Sequence, residues 1–280
     1  MAERGIREID NPEELLEMGL VVGIQSGRFE NAIEFFQKAT DLQIDNPRAW
    51  FLLGVAYDYQ NQLKKGMDCY KRALELNPDY LEALVNLGTN YTKLDDNTMA
   101  IACFLEVLDI KPDYYEAMVN LGISYLERGD VPEAIDVCQR ALVINSRYQI
   151  AYNTLGRAYM QLNEQEKARD FFREALDIDS LYYEPYNFLG LILIDKKEFE
   201  EAIKYFERSI ELNPFYHLAY NNLGVVFAMI GDLSAAIEYF KTAVEIEPKY
   251  FEALHNLSSA YEEAEDFDKA AEYEELAYGE

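Results

Sequence analysis

The dipeptide Leu-Gly stands at 53-54, 87-88, 121-122, 155-156, 189-190 and 223-224, so that successive occurrences lie 34 residues apart every time. A spacing that strict means one structural unit copied without insertion, and the chain is expected to be an array rather than a set of independent folds. With each unit numbered 1 to 34 from Pro47, position 11 reads Tyr57, Tyr91, Tyr125, Tyr159, Leu193, Phe227 and Tyr261. Position 20 is Gly66, then Ala100, Ala134, Ala168, Ala202, Ala236 and Ala270, and position 24 is Tyr70, Phe104, Cys138, Phe172, Phe206 and Phe240. Small residues at positions 8 and 20 let two helices approach closely, and the large ones at 4, 7, 11 and 24 fill the space between layers.

Each unit is expected to hold two helices, at about positions 2 to 14 and 17 to 31. Near position 15 they are separated by Gly27, Asn61, Asp95, Gly129, Asn163 or Gly231, residue types that tolerate a left-handed turn. Lys197 and Glu265 stand there in the two remaining units, and less ideal turns are expected at both. Pro78, Pro112, Ser146, Ser180, Pro214 and Pro248 close each unit at position 32, where a helix must end.

Trp50, Leu53, Gly54, Tyr57, Tyr70, Ala73 and Pro78 reproduce the tetratricopeptide repeat signature nearly position for position, and the chain resembles a tetratricopeptide-repeat protein from end to end. The resemblance implies an all-α fold, an α-solenoid in which helical hairpins stack into a right-handed superhelix. After a lead of residues 1-12, a single array of eight units follows at 13-46, 47-80, 81-114, 115-148, 149-182, 183-216, 217-250 and 251-280. The end units depart in ways that fit capping. Gly19, Leu20 and Gly23 fall at positions 7, 8 and 11 of the first unit, so its first helix reads as degenerate. In the last unit Glu274 replaces the aromatic, and the tail is mostly acidic.

Composition bounds the partners. The 52 Asp and Glu against 25 Lys and Arg give a net charge of -27, which repels nucleic acid and anionic membrane and favours a basic partner. Cys69, Cys103 and Cys138 show no CxxC spacing and sit in apolar helical runs, so they read as buried thiols rather than as a disulfide framework or a metal site. With no signal-peptide core at the start and no run of about 18 apolar residues, a cytoplasmic location is expected.

In tetratricopeptide proteins the first helices line the concave wall of the superhelix. The resemblance therefore assigns positions 2, 5, 6, 9, 12 and 13 to a partner-binding groove. Positions 5 and 6 carry Asn86, Asn120, Asn153, Asn187, the adjacent pair Asn221 and Asn222, and Asn256. Asparagine is a poor helix former, so something outside each helix is expected to use these amides. The row is similar to the asparagine ladder of the tetratricopeptide superhelix in O-linked N-acetylglucosamine transferases, with Thr154 and Phe188 interrupting it. Two uses remain open: holding the backbone of a bound peptide, or bonding to the neighbouring unit.

Ile150, Phe188, Leu191, Ile194, Leu218, Val225, Ala228 and Met229 also fall on groove positions, and Arg157 is the one basic groove residue beside them, facing Glu184 and Asp195. Glu14, Glu17, Glu252, Glu262 and Glu263 put acid on the same face in the terminal units. Such a patch suits an apolar segment with basic ends, unless neighbouring first helices cover it. Tyr80, Tyr114, Tyr148, Tyr182, Tyr216 and Tyr250, all at position 34, are expected to pack the junctions between units with their hydroxyls reaching water.

Catalysis is not expected: two histidines, His217 and His255, form no metal-binding motif, and neither a nucleophile elbow nor a phosphate loop is present. No cofactor is expected. The two-carboxylate clamp with which co-chaperones hold acidic chaperone tails is also missing, because position 5 is never lysine and position 9 never asparagine. The expected function is that of a non-enzymatic interaction scaffold holding a partner peptide or helix. A subunit of a larger assembly, self-associating through the array ends, and a chaperone-associated adaptor without the clamp are the alternatives.

Overall fold

Helix starts are written into the sequence as Asn-Pro and as single aspartates. Asn46 precedes Pro47, and its side-chain oxygen accepts hydrogen bonds from the N–H groups of Arg48 (3.0 Å) and Ala49 (3.2 Å), satisfying two donors that the first helical turn leaves unpaired. Asn11 does the same for Glu13 ahead of Pro12, and Asp96, Asp232 and Asp266 cap Met99, Ala235 and Lys269. In the computed structural model, which describes residues 6, 9–25 and 29–279, these starts yield sixteen α-helices among the described residues, paired as antiparallel hairpins, and no strand.

The chain forms two compact units, Met1–Ser146 and Arg147–Glu280. In the first, the hairpins are α1 (Pro12–Leu20) with α2 (Phe29–Leu42), α3 (Pro47–Tyr59) with α4 (Leu63–Leu76), α5 (Leu81–Lys93) with α6 (Asn97–Ile110), and α7 (Tyr115–Arg128) with α8 (Val131–Ile144). In the second they are α9 (Gln149–Gln161) with α10 (Gln165–Ile178), α11 (Tyr183–Asp195) with α12 (Phe199–Leu212), α13 (His217–Met229) with α14 (Leu233–Ile246), and α15 (Phe251–Glu263) with α16 (Phe267–Tyr278). Within each unit every hairpin packs on the next.

The hairpin core is a glycine facing a ring, or the Cys138 sulfur in the hairpin of α7 with α8. A Cβ added to Gly54 would lie 2.6 Å from the Tyr70 ring, one on Gly190 2.6 Å from Phe206, and one on Gly224 2.5 Å from Phe240. The ring occupies the volume where any side chain would begin, so the 34-residue Leu-Gly spacing records where two helices touch. Phe104, Phe172, Phe206 and Phe240 are at most 2% exposed. In the last hairpin Ser258 replaces the glycine, and its hydroxyl donates to the Ala270 carbonyl at 2.9 Å.

The turns share one geometry. Asn61, Asp95, Asn163, Gly129 and Gly231 adopt positive φ as expected, and Gly27 lies outside the described residues. Lys197 and Glu265 adopt it too, at 60° and 61°. Contrary to the expectation of less ideal turns there, the bonds match: Glu198 N–H reaches Leu193 O at 3.0 Å, as Glu164 reaches Tyr159 at 2.8 Å. The departure at these two positions is energetic, a non-glycine residue in left-handed backbone, rather than geometric. Second helices end on an extended residue whether proline follows, as after Asn77, or serine does, as after Asn145 and Asp179.

The first hairpin corrects the reading of its first helix as degenerate. A Cβ on Gly19 would meet the Phe36 ring at 2.5 Å, so Gly19 is the counterpart of Gly54 and the helix is out of register by one residue. The two Asn-Pro starts, 11-12 and 46-47, likewise lie 35 residues apart. The extra residue is taken up in Val21–Gln25, which is π-helical: an i→i+5 turn holds one residue more than an α-turn.

Candidate functional site

The position-5 and position-6 amides bond from one repeat to the next. In the second unit Asn222 Nδ2 donates to Asn187 Oδ1 at 2.8 Å, and Asn256 Nδ2 donates to Asn221 Oδ1 at 2.9 Å. The adjacent pair therefore serves two directions, Asn222 reaching back to α11 and Asn221 forward to α15. Asn187 and Asn221 are 2% and 5% exposed, so burial and these bonds, rather than a ligand, account for them. Asn222 and Asn256 are half-buried, and each retains a carbonyl oxygen that these bonds do not use.

Asn153, 2% exposed, donates to Glu184 Oε2 (2.8 Å) and to Tyr182 Oη (3.1 Å), while Tyr182 donates to the same carboxylate oxygen at 3.0 Å. Burial raises the Tyr182 hydroxyl pKa, with the Glu184 charge adding to it. The expectation that this position-34 hydroxyl reaches water thus gives way to an internal bond. Burial also raises Tyr216, and it pushes Tyr250 up to about 12.

The groove-position apolar residues of the second unit divide into two sets. Phe188 stacks on Phe172 (centroids 5.1 Å, planes 5° apart), Leu191 and Ile194 pack against the cluster of Phe206, Leu223 and Val226, and Val225 and Ala228 pack against that of Phe240 and Tyr261. Neighbouring helices thus cover part of this set. Ile150 and Leu218 are half-buried, and Met229 is 52% exposed. The Arg157 guanidinium lies over the Phe188 ring at 5.9 Å. Asp195 on α11 and Glu252, Glu262 and Glu263 on α15, at the same set of helix positions, are exposed.

The first unit holds a site that the sequence reading missed. Tyr70 Oη and Asn90 Nδ2 each donate to Asp58, to Oδ2 and Oδ1 respectively, both at 2.6 Å, and Asn86 Nδ2 donates to Tyr70 Oη at 3.3 Å. Three helices supply this network: α3, α4 and α5. The available signals were a tyrosine at position 24, where six other units carry phenylalanine or cysteine, and an aspartate at position 12. Asn120, half-buried on α7, stands in the same row.

Among the described residues no three His, Cys, Asp or Glu side chains could hold a metal ion, and no helix is long and apolar enough to cross a membrane. Burial pushes the Cys103 thiol up to about 11 and those of Cys69 and Cys138 up to about 12, which keeps all three protonated and unreactive near neutrality.

Models described as tetratricopeptide repeat or TPR repeat match residues 24–58, 47–80, 81–114, 113–180 and 182–249. No curated protein matches the chain. Among solved structures, a tetratricopeptide repeat protein from Parabacteroides merdae ATCC 43184 is similar with a TM-score of 0.78 and 18% identity, covering 89% of this chain and 98% of that one. The APC/C hetero-tetramer Cut9-Hcn1 gives 0.72 at 15% identity over 89% of this chain; the match spans 48% of that chain, about half its length. The MamA RS-1 ArsTM double mutant gives 0.56 at 16% identity, covering 60% and 94%. At these identities the likeness is one of fold. With repeat models matched almost continuously from 24 to 249 and the hairpins seen throughout, the chain belongs to the tetratricopeptide repeat family, whose repeats form protein-protein interaction scaffolds.

Proposed function

We propose that the chain is a non-enzymatic scaffold that holds a protein segment on the first-helix face of α9, α11, α13 and α15. The segment has apolar residues at its centre and basic residues at its ends. The observation that carries this reading is the exposed apolar Met229, with half-buried Leu218 and Ile150 on the same set of helix positions, and with exposed Glu252, Glu262, Glu263 and Asp195 at that set of positions on α15 and α11. An apolar surface left unburied in a chain of this charge is a surface for something else to cover. The half-buried Asn222 and Asn256 amides are placed to bond the segment's backbone, and their buried partners Asn187 and Asn221 hold them in position.

Covering a leucine-sized side chain contributes roughly 1.5 to 3 kcal/mol against about 0.5 to 1.5 for a net hydrogen bond, so the apolar contacts should dominate. The test is fluorescence anisotropy with synthetic peptides that share a leucine- and phenylalanine-rich centre and end in lysines or in glutamates. Lysine-ended peptides should bind and glutamate-ended ones should not. Leu218→Glu combined with Met229→Glu should weaken binding about tenfold or more, and Asn222→Ala less, with helical content unchanged in both. Equal binding of both peptide classes, or normal binding to the double variant, would refute the site.

A further inference from the structure

The network around Asp58 borders an open cavity of about 270 Å³, roughly the size for one side chain and below that of a drug-sized ligand site. Packing does not require the network. Phenylalanine fills the position of Tyr70 in four of the other hairpins beyond the first with no polar atom, and alanine, isoleucine or valine fills that of Asn90 in α3, α9, α11, α13 and α15. Here instead a carboxylate, a phenol and two amides are gathered at the cavity, although Tyr70 is 0% and Asn90 1% exposed and withdrawing polar groups from water is costly.

What the cavity offers is acceptors. Each Asp58 oxygen takes one hydrogen bond, and an ionised carboxylate has room for about four. The Thr89 hydroxyl donates its one proton to Val85 O at 2.9 Å, so toward the cavity it can only accept. Asn86 uses one N–H on Tyr70, which leaves its carbonyl oxygen and its second N–H. Tyr59, 64% exposed and stacked on Phe29 at 3.7 Å, adds an aromatic wall of the kind that cations favour. Burial raises the Asp58 carboxyl pKa even though Tyr70, Asn90 and the Lys93 charge all act to lower it, so the charged form is under-compensated as the site stands. Lys93 lines the cavity but is exposed and makes no ion pair with Asp58 among the described residues.

We propose that this cavity seats the cationic head of an arginine or lysine side chain from a bound polypeptide, with Asp58 as its counter-ion and Asn86 and Thr89 as neutral acceptors. The site lies in the first unit and does not rest on the function proposed for the second. It gives the chain a point-by-point preference for basic side chains beyond the general pull of its -27 charge.

The test is a titration of the intact protein with Nα-acetyl-arginine amide, Nα-acetyl-lysine amide and the neutral isostere Nα-acetyl-citrulline amide, followed through the side-chain amide NMR signals of Asn86 and Asn90. Arginine or lysine should shift both signals saturably in the millimolar range, and citrulline should bind about tenfold more weakly, as an ionised partner does roughly twice the work of a neutral one. Asp58→Asn should remove the difference between arginine and citrulline. Lys93→Gln should tighten binding by removing a competing cation. Saturable shifts with acetate that vanish in Lys93→Gln would instead make this an anion site, and no shift with any cation, or equal shifts with arginine and citrulline on the unaltered protein, would equally overturn the proposal.

Discussion

At the scale of single residues, the glycine of each Leu-Gly pair is there because a ring, or at Gly122 the Cys138 sulfur, stands where its side chain would be. Gly190→Ala would gain roughly 1 kcal/mol of helix propensity, yet its methyl would sit 2.6 Å from Phe206, a ring that is 0% exposed and has nowhere to move. Overpacking of about 1 to 3 kcal/mol should exceed that gain, so urea unfolding should show a net loss of stability, recovered in part when Phe206→Leu makes room. These contacts were legible in the sequence because glycine and phenylalanine each recur at one position. The asparagines were only half legible: their face was readable, but the bond from Asn222 to Asn187 joins residues 35 apart on two helices whose offset no periodicity states. Asp58, Tyr70 and Asn90 stayed hidden for the same reason, since their meeting depends on how three helices converge.

At the scale of elements, Lys197 tests how far a fold can impose a conformation on an unwilling residue. Its φ of 60° is where neighbouring turns place glycine, asparagine or aspartate, and an L side chain pays about 1 to 2 kcal/mol to stay there. Glycine would remove that cost but lose roughly 0.5 to 1 kcal/mol of entropy on folding. Lys197→Gly should therefore raise stability by up to about 1 kcal/mol in urea unfolding, whereas Asn61→Gly should be close to neutral. A loss of stability on Lys197→Gly would mean that the lysine side chain makes a contact worth more than the strain. The identity of residue 197 gave warning of this strain, and the structure shows that the turn geometry yields nothing to it. The first helix failed in the opposite way. Its sequence kept the glycine but moved it by one residue, and a fixed 34-residue frame took Gly19 for a defect when the π-helical turn had absorbed the shift.

At the scale of the whole chain, charge has to be weighed against pairing. The ion pairs within helices, such as Arg72 with Glu75, Arg208 with Glu211 and Lys241 with Glu238, join residues three apart on exposed surface and contribute little each. With 52 acidic groups and 25 basic ones, the carboxylates outnumber the cations of this chain by 27, and they repel one another. Salt weakens both effects, and the excess of like charge makes the repulsion the larger. Raising the ionic strength from about 0.01 to 0.15 M shortens the screening length from roughly 30 to 8 Å, so Tm should rise in calorimetry across that range. The affinity for a lysine-ended peptide should fall over the same interval, because the same screening removes the attraction that draws a basic partner in. A Tm that fell with salt would show that the exposed ion pairs outweigh the repulsion. A peptide affinity indifferent to salt would show that Glu252, Glu262 and Glu263 take no part in binding.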